Sequence, residues 1–441
     1  MKLLLLKVLY NLLFTLIFIL TSPYFLYKLW RRGRLFSYNF LERLAIYTSE
    51  QESQMRAGCD FWIHAVSVGE ALIARALLRE LRTRVPHLNI VITTTTPTGY
   101  QLALPLQDSQ TLILLTPFDL YFSQRRAFRK IRPKALLLIE SEIWPNMIWQ
   151  AASLGIPISL INARLSKRTA NRYEKFGFFI RPLLETINHI FAQDASDIPR
   201  LIKAGFPKNR IHNLGSMKYD VAALPLHRMD ANPELILQSL NWTQQTQIIL
   251  AASTHPGEEE MLIPIWKSLH QMFPHLRLIV APRHAERGRS IRDKFRHHQI
   301  STVSLRSQIH EKKTVPHNVD ILILDTTGEL RTWFNYASIV IVGKSFRAHG
   351  GQNFIEAAQA GKPIILGPHM ENFLPQTRAF LDHQAVIQIH SEQQLLSTLQ
   401  NLIQSPEKAR ALGQRALSLF QSSLGSAAKT AQFLLNSRKN A

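Results

Sequence analysis

Cysteine is almost absent. The 441 residues hold one, Cys59, so no internal disulfide can form, and a reducing compartment fits. No set of Cys and His residues has zinc-site spacing, and no Asp-x-Asp triplet is present to hold a divalent ion on a sugar diphosphate. The expectation is chemistry with no metal and no cofactor. Acidic residues are scarce as well: 31 Asp plus Glu against 52 Lys plus Arg leave a net charge of +21. That excess goes well beyond what solubility needs and points to a polyanionic partner, whether nucleic acid, anionic lipid or a phosphorylated substrate. No short repeat is visible, and the nearest approach to low complexity is the threonine run at 93–96. With 46% hydrophobic residues the chain can bury real cores, which excludes a disordered protein, and its length suits two α/β domains of ordinary size.

What is present begins with an apolar run. Residues 3–20 are interrupted only by Lys7, Asn11 and Thr15, and 23–30 extend the run with Tyr24, Phe25, Tyr27 and Trp30. About 20 apolar residues suffice to span a bilayer. No small-residue cleavage site follows. Lys28, Arg31, Arg32 and Arg34 follow instead, a charge block that keeps the remaining chain on the cytoplasmic side. Lys7 and Asn11 leave open a helix that lies in the interface rather than crossing it. The reading is an N-terminal membrane anchor over 1–32, with membrane lipids as partners.

Beyond the anchor, strands and helices alternate. Near-continuous apolar strands are expected at 61–68, 89–94, 111–115, 135–139, 157–161 and 189–193. A second series is expected at 247–253, 277–281, 319–324, 338–342, 363–366 and 385–389. Such strands, separated by helices, mean parallel sheets covered on both faces. A break near Pro225 and Pro233 divides the chain into domains at 33–222 and 237–424, with 223–236 as linker and 425–441 as a terminal segment within a helix expected over 414–439. Two doubly wound, Rossmann-like domains facing across a cleft bind ligands at the carboxyl ends of their strands.

The unusual residues cluster at those ends. In the first half they are Glu70 after Val68-Gly69, residues 93–99 (TTTTPTG), Glu140 and Glu142 in ESEIWPN, and Arg164 with Lys167 and Arg168 after Asn162. In the second half they are STHPGEEE at 253–260, Pro282-Arg283-His284, and Gly328-Glu329-Leu330. The most organised stretch is 343–373, where a strand end, a loop with Gly343, Gly350 and Gly351, and a helix expected to start at Asn353 and stop at Gly361 form a site for a phosphate ester. The plainer alternatives are that Glu70 only complements a helix dipole, that the basic run is a solvated face, and that Asn353 and Glu356 only cap a helix.

The motifs HAVSVGE, TTTTPTG, ESEIWPN, NARLS, GSMKYD, STHPGEEE, PRH, GEL and GGQNFIEA, in this order and spacing, resemble those of the 3-deoxy-D-manno-octulosonic acid (Kdo) transferases, which build the lipopolysaccharide inner core. The resemblance runs over essentially the whole chain. It implies a GT-B glycosyltransferase fold, CMP-β-Kdo as co-substrate, a lipid A precursor (lipid IVA) as acceptor, and an inverting, metal-independent single displacement at the cytoplasmic face of the bacterial inner membrane. In that architecture the terminal helix can cross back to the first domain.

Carried over by motif, Glu70 matches the general base, although its place at a helix start would favour the ionised form and weaken it. Lys218, in GSMKYD, is expected to neutralise developing phosphate charge as a second catalytic residue. Arg283, His284, Gly328, Glu329, Leu330, Gly350, Gly351, Asn353 and Glu356 match donor-binding positions. Glu142, Arg164 and Lys167 are expected at the acceptor, with Leu35, Phe36, Phe40 and Leu41 receiving acyl chains. Gln352, Phe354 and Lys344 depart from the usual family pattern, which has His, Pro and Gly there. Two rivals remain: a transferase of the same architecture using a UDP-sugar, and a basic protein binding nucleic acid. The second lacks any groove-reading or strand-stacking motif.

Overall fold

The computed structural model describes residues 2–31, 40–225, 232–243, 245–309 and 318–439. Arg32, Arg34, Leu35 and Phe36 lie outside them. The chain forms two compact units, Met1–Val221 with Gly425–Ala441, and Ala222–Leu424.

The first unit is built on a seven-stranded sheet. Its strands are β1 (Phe61–Ala65), β2 (Ile90–Thr94), β3 (Thr111–Leu115), β4 (Leu136–Ile139), β5 (Ile158–Ala163), β6 (His189–Ala192) and β7 (Ile211–Asn213), ordered 3-2-1-4-5-6-7 and parallel throughout. The central strands are buried residue by residue, which only a sheet covered on both faces requires. The polar residues among them include His64, which is fully buried: burial lowers its pKa to about 3, and Nδ1 lies 3.1 Å from Thr93 Oγ1. It is a neutral core histidine.

The second unit repeats the design with β8 (Ile248–Thr254), β9 (Arg277–Pro282), β10 (Val303–Leu305), β11 (Ile321–Ile323), β12 (Ile339–Val342), β13 (Ile364–Leu366) and β14 (Ile387–Gln388), ordered 10-11-9-8-12-13-14 and also parallel. Strands β7 and β10 were absent from the sequence reading. Both are three-residue edge strands, too short for a periodicity to register. The single helix expected over 414–439 is two, Pro406–Ser422 and Ser426–Lys439, broken at Gly425, whose φ of 98° a helix cannot hold. The carboxylate of Asp220 accepts from the N–H groups of Gly425 (2.8 Å) and Ala427 (3.1 Å), capping the second helix and tying it to the first unit.

Three polar residues of the N-terminal helix, Lys2–Arg31, have partners beyond it. Tyr10 donates to Asp119 (2.8 Å), Asn11 exchanges amide hydrogen bonds with Asn146 (3.1 and 3.0 Å), and Lys7 lies over the Trp149 ring. The opposite side leaves Leu9, Leu12, Leu13, Leu16, Ile17 and Leu20 exposed. Asp119 also accepts from the N–H groups of Asn146 and Met147 (3.0 Å each), so one buried carboxylate holds both this helix and the start of helix Pro145–Ser153. Replacing Tyr10 by Phe removes one partly buried hydrogen bond, worth about 1 kcal/mol net. Limited proteolysis within the N-terminal helix should then rise about fivefold, with the rest of the chain unaffected.

Candidate active site

In the first unit the candidate residues gather at the carboxyl ends of β1, β4, β5 and β7. Helix Val68–Arg84 begins after β1, and Ser67 caps it by accepting from Glu70 N–H. The Glu70 side chain turns back, so that one carboxylate oxygen accepts from Val66 N–H (2.7 Å) and the other from Ser67 O–H (2.9 Å). Glu70 therefore performs the capping role, yet its carboxyl is not held in the usual acidic range. Burial raises its pKa to about 7. The Val66 and Ser67 hydrogen bonds act in the other direction, and the charges of Glu142 and Glu140 add to the rise. The expectation that the helix start would hold Glu70 acidic is overturned, because desolvation of a carboxylate that is 7% exposed outweighs the hydrogen bonds that favour its ionised form.

Glu140 and Glu142 follow β4. Glu140 sits at φ 59°, and this left-handed kink turns the chain sharply out of the sheet. Glu142 accepts from the Trp144 indole N–H (2.8 Å), and its pKa is raised by burial and by Glu140. Gln193, at the end of β6, donates to Asn162 O (2.7 Å), and Asn162 Oδ1 accepts from Met217 N–H (3.0 Å). This network fixes the turn that carries Lys218. Around Lys218 stand Glu140, Arg164 and Asp197; burial lowers its pKa, Arg164 lowers it further, and the two carboxylates oppose the change. Glu140 thus acts electrostatically on both Glu70 and Lys218. Arg164 is half-buried, whereas Lys167 opens helix Lys167–Lys175 exposed. Asp197 and Gln193 escaped the sequence reading, although they follow a strand end as the chosen residues do.

In the second unit the loop after β12 differs from expectation. The N–H groups of Lys344 (2.8 Å), Ser345 (3.1 Å) and Phe346 (3.1 Å) point at a carboxylate of the chain itself, Glu258, which also accepts from His255 N–H (2.9 Å). This part of the anticipated phosphate cradle is therefore filled internally. The helix begins at Ile355 rather than Asn353 and runs only to Gln359, with Asn353 accepting from Ile355 N–H (3.1 Å). Gly343 is required by contact, since a Cβ there would lie 2.4 Å from Ser253 O.

The other donor candidates are spread along the same sheet edge. Arg283 and His284 are exposed after β9. His284 faces His255, with ring centroids 6.2 Å apart, and His255 Nε2 contacts Gln352 Nε2 at 3.1 Å, so the departure at 352 still places a polar group in the cluster. Gly328 adopts φ 86°, and Glu329 is buried, accepting from Arg306 (3.2 Å) and from the Trp333 indole (3.4 Å). Leu330 starts the helix that ends at Trp333. Gly350 and Gly351 have φ of 112° and 70°. Burial raises the pKa of Glu356, and Arg331 opposes the rise.

Residues 38–221 match the family described as 3-deoxy-D-manno-octulosonic-acid transferase (Kdo transferase). The chain is 34% identical over 362 residues to the 3-deoxy-D-manno-octulosonic acid transferase of Haemophilus influenzae, covering 80% of this chain and 81% of that one. It is 30% identical over 366 residues to the enzyme of the same description from Bordetella pertussis, covering 80% and 82%. Among solved structures, a UDP-N-acetylglucosamine 2-epimerase superposes with a TM-score of 0.62 over 87% of this chain and 97% of that one, at 13% identity. A glycosyltransferase from Rickettsia africae gives 0.58 over 87% and 100%, at 10% identity. At such identities the likeness speaks for the fold alone.

Proposed function

The chain belongs to the Kdo transferase family of glycosyltransferases, with the GT-B fold, and from that premise we propose the transfer of Kdo from CMP-β-Kdo to a lipid A precursor, lipid IVA, by an inverting single displacement. The observation that carries this mechanism is the buried Glu70 carboxylate, poised to titrate at about 7 beside Glu142 at a strand edge. A general base that must be free at neutral pH and still accept a proton works best with a pKa near the operating pH. Glu70 takes the proton of the acceptor hydroxyl, the freed oxygen pair forms the new bond to the anomeric carbon, and the bond from that carbon to the phosphate oxygen breaks. CMP leaves with that electron pair. No enzyme nucleophile and no metal enters this scheme.

Lys218 supplies a cation for the charge developing on the leaving phosphate. Arg283 offers a forked donor to the same phosphate, with His284 beside it. Gly328, Glu329, Leu330, Gly350, Gly351, Asn353 and Glu356 complete the donor side. Glu142, Arg164 and Lys167 meet the acceptor. The N-terminal helix supports a placement at the inner membrane, flat in the interface: one side is docked on the first unit through Tyr10 and Asn11, while the apolar side faces lipid. Exposed Leu41 and half-buried Phe40 follow it, in reach of acyl chains. The catalytic units then lie on the cytoplasmic face, and anionic lipid together with acceptor phosphates accounts for the +21 charge.

The deciding experiment is CMP release from CMP-Kdo in the presence of lipid IVA, with product mass read in parallel. Turnover that a UDP-sugar cannot support is expected; turnover with a UDP-sugar alone would overturn the donor assignment. Reversing charge at Arg164 and Lys167 together (Arg164→Glu, Lys167→Glu) should raise the acceptor KM roughly tenfold or more, since each basic group near an anionic surface contributes about 1 kcal/mol. An unchanged KM would remove both from the acceptor site.

A further inference from the structure

A cluster in the second unit remains unexplained by the transfer reaction. His349 lies in the loop after β12, and His369 and Glu371 follow β13, so the acid stands 22 positions from the first histidine. The fold brings the three together, with their ligand atoms all within 4.8 Å of one another. Oε1 of Glu371 is 3.1 Å from His349 Nδ1 and 3.5 Å from His369 Nδ1, and the imidazole centroids are 4.0 Å apart. Ligand bonds of about 2.0–2.1 Å in a tetrahedral shell place neighbouring donor atoms roughly 3.3 Å apart. The two nitrogen–oxygen separations bracket that spacing.

The surroundings are built to hold these groups. Glu371 Oε2 accepts from Gly350 N–H (2.6 Å), the kind of outer hydrogen bond that orients a ligating carboxylate and turns its other oxygen toward the two imidazoles. Backbone hydrogen bonds from His369 N–H to Ser345 O (3.0 Å) and from Asn372 N–H to Gly350 O (2.9 Å) lace the two loops, and one from Gly351 N–H to Lys344 O (2.9 Å) closes the first on itself. The cluster therefore needs little rearrangement to accept an ion. Side-chain exposures of 76%, 31% and 55% for His349, His369 and Glu371 leave a face open to solvent, where a fourth ligand can exchange.

We infer that His349, His369 and Glu371 form a site for a divalent first-row transition-metal ion of the zinc type, held by two imidazole nitrogens and one carboxylate oxygen, with a fourth position open to water or an anionic oxygen. Two imidazoles and a carboxylate suit Zn²⁺, and also Ni²⁺ or Co²⁺, better than Mg²⁺, which prefers oxygen ligands in an octahedron. Bound there, the ion staples the loop of Gly350 and Gly351 to the segment after β13. The site adjoins the Gly350–Gly351 loop proposed for the donor, but the proposed displacement needs no Lewis acid, and the test of the site does not read turnover.

The experiment is calorimetric titration of untagged, chelator-treated full-length protein with ZnCl₂, backed by the visible absorption of a Co²⁺-loaded sample. One saturable ion per chain and the intense visible bands of four-coordinate Co²⁺ are expected. His349→Ala and His369→Ala should each abolish saturable binding. Glu371→Gln, which keeps the size and an amide oxygen, should weaken it at least tenfold. All three variants should retain the wild-type circular dichroism spectrum, because these side chains are largely on the surface. The absence of a saturable site in the wild type would overturn the assignment, and so would an affinity unmoved by all three substitutions.

Discussion

Glu70→Gln should lower kcat by roughly 10²–10⁴-fold, the range a positioned general base supplies, while leaving CMP-Kdo affinity unchanged. Glutamine keeps the size of the side chain and an oxygen that can accept from Val66 N–H or Ser67 O–H, so loss of the cap alone would appear as a modest fall in stability without the kinetic collapse. The pH profile gives a second readout. Burial first, then Glu142 and Glu140, raise the Glu70 pKa to about 7 against its local hydrogen bonds. The base works only when ionised, so kcat/KM should climb about tenfold per pH unit below 7 and level off above it. In Glu142→Gln a negative neighbour is gone, and the acid limb should move to lower pH. A limb that stays in place in Glu142→Gln, or full activity in Glu70→Gln, would return Glu70 to helix capping.

The second large effect is on stability. Glu258 is 1% exposed, and its two oxygens accept four backbone N–H groups, from His255, Lys344, Ser345 and Phe346. In Glu258→Ala these donors lose their acceptor in a place water does not readily reach. At about 1–3 kcal/mol for each buried unsatisfied group, partly recovered by relaxation, the loss should be roughly 3–6 kcal/mol. Glutamine is no remedy, because its NH₂ would face donors where the carboxylate presents an oxygen. Urea denaturation should show the cost in the transition of the second unit, and CMP-Kdo binding should weaken with it as the loop loosens. A Glu258→Ala variant within 1 kcal/mol of wild type would show that the loop does not depend on this carboxylate.

Both predictions turn on features that differ in how far the sequence reveals them. Continuous apolar runs such as Leu136–Ile139 and Ile339–Val342 announced buried parallel strands, because burial on both faces demands them whatever the partner. Polar residues just past those runs marked where a ligand would sit, since a parallel sheet aligns all its carboxyl ends along one edge. Glycines at 343 and 361 were legible too, each tied to a local backbone need.

What escaped depends on contacts through space. Glu258 opens a helix after β8, and nothing near it in the chain says that its carboxylate will fill a loop 86 residues further on. Left-handed kinks at Glu140, Asn162, Ser253 and Lys344 aim the strand ends, yet none of these is a glycine that would announce the conformation. The family, the two parallel sheets and the edge where the candidate residues gather were legible in the chain, because these follow from short-range hydrophobic pattern and motif spacing. Contacts in three dimensions alone raise the Glu70 pKa to about 7, put Glu258 into part of the expected phosphate cradle, and bring His349, His369 and Glu371 together. Desolvation and charge–charge interaction act over ångströms in space, and separation along the chain does not report that distance.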